Sequence, residues 1–193
     1  MQAAVFYTSN PDEARLATRQ DILLRKAAYL DHGVFDGRLF VMPDASQIDE
    51  DAVWAAIEAT DFTRVKLKLT HPLFGLGWTQ EQANDAELWY KRYLFLVAKY
   101  PSAKPVPNRH LDEFWHQHIL DTQAYAEDCQ RIFGAFHHHY PYSGMFEGDD
   151  FEGWAHNVVV TERLFMVEFD VDYGDMGAKC NCFGGKCKSV TPA

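Results

Sequence analysis

The chain has 193 residues, 47% of them hydrophobic and 24% charged, which is the composition of a globular domain and excludes disorder along its whole length. Its 28 acidic against 18 basic residues leave a net charge of −10, which argues against a general nucleic-acid binder and against docking on an anionic membrane. No segment reaches the ~18 consecutive apolar residues of a spanning helix, and residues 1–20 lack the apolar core of a secretory signal, so the expected compartment is the cytoplasm, with reduced thiols.

Residues 12–32 carry Leu16, Ile22, Leu23, Ala27 and Leu30 among charges and predict an amphipathic helix, interrupted by Gly33 and Gly37. Residues 38–42 read as a short strand. Pro43, Asp44 and Ser46 then supply turn and cap residues for a helix over 49–60, with Val53, Ala56 and Ile57 on one face. Residues 63–70 alternate Val65, Leu67 and Leu69 with Arg64, Lys66 and Lys68, the period of a half-buried strand whose one evident partner is 38–42. The basic row reads as a solvated face, with a docking stripe for an acidic partner as the alternative.

Thr79-x-x-Gln82 is a capping box, with Trp78 placed for a hydrophobic staple. The helix after it repeats Ala86, Trp89, Tyr90, Tyr93, Leu94 and Val97 at steps of three and four, a stripe that reads as core. Pro101, Pro105 and Pro107 form a stiff connector. Asn108 caps a helical stretch over 109–133, which stops at Gly134 and carries a candidate break at Asp121-Thr122. A last helix is expected over 150–169. The expected fold is mainly α: a single compact domain of five to six helices over 1–170, with a minor two-stranded element and a flexible cysteine-bearing C-terminal tail over 171–193.

Six of the nine histidines, His110, His116, His118, His137, His138 and His139, fall in one stretch with Asp112, Glu113, Asp121 and Asp128. Imidazole and carboxylate are the ligands of zinc, iron, copper and manganese. Asp112 and His116 are four apart and share a helical face. His116 and His118 are two apart and diverge by roughly 200° on a continuous helix. A helix end near His118 would let it join the pair; without one, it shares a stripe with Leu111, Trp115, Tyr125 and Cys129. His138 or His139 would supply a further ligand. The alternative is that these imidazoles are buried and hydrogen-bonded for the sake of the fold. No HExxH, Ser-His-Asp pattern, P-loop or dinucleotide fingerprint is present.

Three landmarks carry a resemblance: Val65-Lys66-Leu67-Lys68-Leu69 before His71-Pro72, Tyr90-Lys91-Arg92-Tyr93-Leu94-Phe95-Leu96, and residues 111–122, continuing through Tyr125, Asp128-Cys129 and Gly134 to His138-His139-Tyr140-Pro141-Tyr142. Over 62–144 the chain resembles the glycine-rich domain-containing protein-like family, whose hallmark is an Asp-x-x-Trp-His-x-His segment. The resemblance marks Asp112, Trp115, His116, His118, Tyr125 and one of His138 and His139. Plant members of that family are larger, are associated with stress and developmental responses, and can carry a glycine-rich region and a proposed RNA-binding segment. With 12 glycines and an acidic balance, this chain does not inherit the RNA-binding expectation.

The leading expectation is a metal-binding protein that could serve as a metal-dependent enzyme. Asp112, His116, His118 and His139, with His138 as a substitute, would hold one transition metal, iron or zinc. Glu113 or Asp121 would orient a ligand imidazole, and Trp115 and Tyr125 would support the site. The competing expectation is a non-catalytic protein-binding or scaffold module with structural histidines. The tail thiols Cys180, Cys182 and Cys187, spaced C-x-C-x4-C, fit a free reduced tail, a metal or redox clip, or a segment that a protein partner recognises. Cys129 reads as a small core residue.

Overall fold

The computed structural model describes residues 43–143 and 149–173, together with two short strands at Val34–Phe35 and Arg38–Leu39. The helix expected over 12–32 and the thiols of Cys180, Cys182 and Cys187 lie outside the described residues. The two strands, β1 (Val34–Phe35) and β2 (Arg38–Leu39), pair antiparallel with Val34 opposite Leu39 and Phe35 opposite Arg38. Among the described residues the rest of the regular structure is helical. It comprises α1 (Glu50–Glu58), α2 (Thr63–Thr70), α3 (Gln80–Lys99), a 3-10 turn (Pro101–Ala103), α4 (Arg109–Leu120), α5 (Thr122–Phe133) and α6 (Asp149–Phe169). The fold is mainly α, as composition and periodicity predict. None of these helices is long and apolar enough to cross a membrane.

Residues 63–70 correct the sequence expectation, since they form helix α2 rather than a strand. Alternation at 65, 67 and 69 contains an i, i+4 pair, so it satisfies the helical period as well. Phe62, Val65 and Leu69 all turn inward, at steps of three and four, whereas Leu67 is 63% exposed. The Asp61 carboxylate accepts the Thr63 N–H and fixes the first turn. On a helix the basic row scatters: Arg64 pairs with Asp121, and Lys66 with Glu87. Residues 38–39 take their partner from 34–35 instead.

The loop from α2 to α3 is built around its own backbone. His71 Nδ1 accepts the N–H groups of Leu73 and Phe74, and Leu69 O accepts those of Leu76 and Trp78. Gly75 passes so close to α2 that a Cβ there would lie 1.7 Å from Lys68 O. Gly75→Ala is therefore expected to lower unfolding stability by about 2 kcal/mol, because backbone, not a flexible side chain, must move. Chemical denaturation with no loss would contradict this packing.

The longest apolar stripe lies on α3. The capping box is formed, with Thr79 Oγ1 accepting from Gln82 N and Gln82 Oε1 accepting from Thr79 N. From it follows a face burying Ala86, Trp89, Tyr90, Tyr93, Leu94 and Val97, all six as expected. Helices α1, α2, α4 and α6 pack against α3. Phe62 meets Tyr90 and Phe114 edge-on, at centroid distances of 5.5 Å each. Burying each such aromatic side chain contributes roughly 2–3 kcal/mol, so the α2–α3–α4 junction carries much of the fold.

The stretch 109–133 does break at Asp121. Asn108 Oδ1 caps α4 by accepting from Leu111 N, and Gly134 ends α5 in the left-handed region at φ 70°. Asp121 turns its carboxylate to Arg64 rather than to the helix it precedes. The break lays α5 back against α4 and returns the chain after Gly134 toward the exposed side of α4.

Candidate metal centre

Helix α4 has two functional faces. Leu111, Phe114, Trp115 and His118 are buried, while Asp112 and His116 stay half-exposed one turn apart. His116 Nδ1 lies 3.8 Å from Asp112 Oδ2. The loop after α5 brings the third group. Trp115 Nε1 donates to the Tyr125 hydroxyl at 3.0 Å, and that hydroxyl donates to His137 O at 2.5 Å. Tyr125 thereby ties the loop to α4. The loop is extended, so alternate side chains face opposite ways. His137 and His139 turn inward, and His138 turns out to solvent against Phe136.

His137 stacks on Trp115 at 5.1 Å and 9°. His139 stands edge-on to the same indole at 4.5 Å and presents Nε2 to Asp112 Oδ1 at 3.0 Å. Asp112, His116 and His139 thus offer three ligand atoms that all lie within 4.8 Å of one another. Ligand atoms bound at about 2.1 Å to one metal sit about 3.0–3.4 Å apart. The Asp112–His139 pair is already at that spacing, and half-exposed His116 offers a ligand atom within 4.8 Å of both.

Two expected ligands do not join. His118 is buried on the far side of α4, with Nδ1 3.0 Å from the Tyr90 hydroxyl and Nε2 2.9 Å from Asp128 Oδ2. The helix break falls three residues after it, so its roughly 200° divergence from His116 persists. Burial lowers its pKa against the opposing pull of Asp128, which suits a neutral ring accepting from Tyr90 and donating to Asp128. His138 gives way to His139 for the reason of loop alternation. Neither expected orienting carboxylate does that work. Asp121 is held by Arg64, and among the described residues Glu113 makes no hydrogen bond to a ligand imidazole. Trp115 packs against the rings of His137 and His139, and Tyr125 donates to His137 O. Cys129 is a buried free thiol, pushed up in pKa by burial.

His137 is the neighbour that sequence reasoning passed over. Its Nε2 is buried without a partner, and burial, followed by the charges of His139 and His138, lowers its pKa to about 4. In metal-free protein the stability it contributes is full above about pH 6.5, the ordinary imidazole value, and is lost as pH falls from there toward 4, because only the unfolded chain takes up the proton. Denaturation across that window is expected to show a shallower pH slope in His137→Phe, which keeps the stacked ring. Equal slopes would contradict the burial of a neutral ring.

Asp112, Trp115, His137, His138 and His139 form one side of a cleft of about 700 Å³. The 101–107 connector, Tyr93 and Val97 of α3, and Trp154 and Asn157 of α6 form the other sides. Asp112 and His139 therefore open onto a space large enough for a small molecule, while His116 stands beside them outside its lining.

Residues 58–152 match the family described as UCP032817-like, an uncharacterised family, and that stretch contains the whole cluster of Asp112, His116 and His139. No curated protein and no solved structure matches the chain.

Proposed function

We propose that this chain binds one transition-metal ion, zinc or iron, through Asp112, His116 and His139, and that the ion's remaining positions open to the cleft. One observation carries the reading: three ligand atoms from two separate segments converge within 4.8 Å at the edge of a cavity. Two imidazoles and one carboxylate suit a Lewis-acid zinc site or an oxygen-activating iron site, both of which keep positions free for water or substrate. Kinship with the glycine-rich domain-containing protein-like family belongs to the same proposal, on the Asp112-x-x-Trp115-His116-x-His118 segment.

Cobalt(II) titration tests it. The expected result is a visible absorption spectrum distinct from aqueous cobalt that saturates at one equivalent. A spectrum identical to free cobalt would sink the proposal.

A protein-binding module is the second reading. It draws on Leu73 and Phe74, 81% and 71% exposed on the firmly hydrogen-bonded loop before α3. That reading requires no metal, so the same titration separates the two.

A further inference from the structure

We propose that the cleft takes a small organic anion with a flat apolar body, and that Lys104 pairs with its charge. The inference deepens the metal reading and rests on it only for the second contact, at Asp112 and His139. Lys104 lies just after the 3-10 turn and lines the cleft. It is the one lysine or arginine among the described lining residues, which also include His137, His138 and His139. Lys104 is exposed. It makes no ion pair among the described residues, nor do Lys68, Arg92 and Arg109, but of these Lys104 alone lines the cleft.

Its backbone is the second observation. Lys104 has φ 46° and ψ 63°, in the left-handed region that glycine or asparagine ordinarily fills. A long cationic side chain sits at this position against the backbone's preference.

The rest of the wall defines what kind of ligand fits. Pro101, Pro105 and Pro107 carry no N–H. The Val106 N–H is taken by Thr161 Oγ1 and the Asn108 N–H by the Tyr173 hydroxyl, while Pro105 O is taken by the Tyr93 hydroxyl. The connector therefore offers an apolar surface with a single ammonium. Half-buried Trp154 adds a flat face, which favours a planar body, while Trp115 and Tyr93 lie buried beneath the wall. Asp112, the one lining carboxylate, is already engaged by His139. In a chain of net charge −10, an anion needs a local positive group to enter, and Lys104 with a bound divalent ion supplies it. A cationic ligand would meet repulsion from both. The volume of about 700 Å³ suits one metabolite-sized molecule rather than a polymer segment.

Calorimetric titration with benzoate, benzyl alcohol and benzylamine, each into metal-free and zinc-treated protein, tests the inference. Benzoate is expected to bind about tenfold more tightly than benzyl alcohol, and benzylamine not to bind. In metal-free protein, Lys104→Met and Lys104→Gly should both erase the advantage of benzoate. Lys104→Gly should melt no lower than wild type, since glycine relaxes the left-handed backbone, so its lost affinity would not reflect misfolding. Equal affinity for benzoate and benzyl alcohol, no benzoate binding in either form, or unchanged benzoate binding in both variants would overturn the proposal. If zinc is not taken up yet benzoate still depends on Lys104, the anion site stands and the metal reading falls.

Discussion

His118→Ala is expected to lower unfolding stability by about 4 kcal/mol. The ring is 3% exposed and meets Phe62, Tyr90 and Tyr125 edge-on, at centroid distances of 5.1, 5.8 and 4.9 Å. Removing it opens a cavity among aromatic residues that α2, α3 and α5 hold in place. It also strands the Tyr90 hydroxyl, whose residue is fully buried, and frees one oxygen of Asp128. Asp128 keeps Arg131, which also reaches Thr60, so the charge is not orphaned and the loss stays in the range of a large core truncation. Urea denaturation reads the effect. A loss under about 1 kcal/mol would mean that the Tyr90–His118–Asp128 chain is not a buried network. Metal uptake by the remaining folded fraction should be unchanged.

The opposite pattern is expected at the cluster itself. Asp112→Ala, His116→Ala and His139→Ala should each weaken metal binding by more than about a hundredfold, since losing even a supporting partner of a ligand commonly costs ~10–100-fold. His116 is 41% exposed, and its closest polar partner is Asp112 at 3.8 Å. Its removal should therefore leave metal-free stability within about 0.5 kcal/mol of wild type. Wild type should gain thermal stability on saturation with metal, and the three variants should not. These two outcomes together would give two histidines two positions apart on one helix separable tasks, His118 in the fold and His116 in metal binding. A His116→Ala chain that unfolds without metal would assign both to the fold.

Local rules made much of this structure legible. The α3 stripe, the Thr79 capping box, the Asn108 cap and the Gly134 stop each depend on neighbours within a few residues, and each is present. The Asp112–His116 pair is equally local, one helical turn. Helix α2 was misread because eight residues hold too few periods to separate two from 3.6, and the deciding residue, Phe62, precedes the alternating run. The place of His118 is not legible locally, because its partners, Tyr90 and Asp128, belong to α3 and α5. The choice of His139 over His138 depends on the loop's direction of approach, which Tyr125 fixes from another helix. The cleft joins the 101–107 connector, the 137–143 segment and part of α6, and no local pattern announces such a meeting.

The most direct measurement is the metal content, by mass spectrometry, of protein purified without an affinity tag. It should compare the full chain, a chain truncated after Tyr173, and His139→Ala. About one equivalent of zinc or iron is expected in the first two and none in the third. Metal confined to the full chain would move the site to Cys180, Cys182 and Cys187. No metal in any form after reconstitution would contradict the central claim and leave Asp112, His116 and His139 as a hydrogen-bonded cluster at the edge of the cleft.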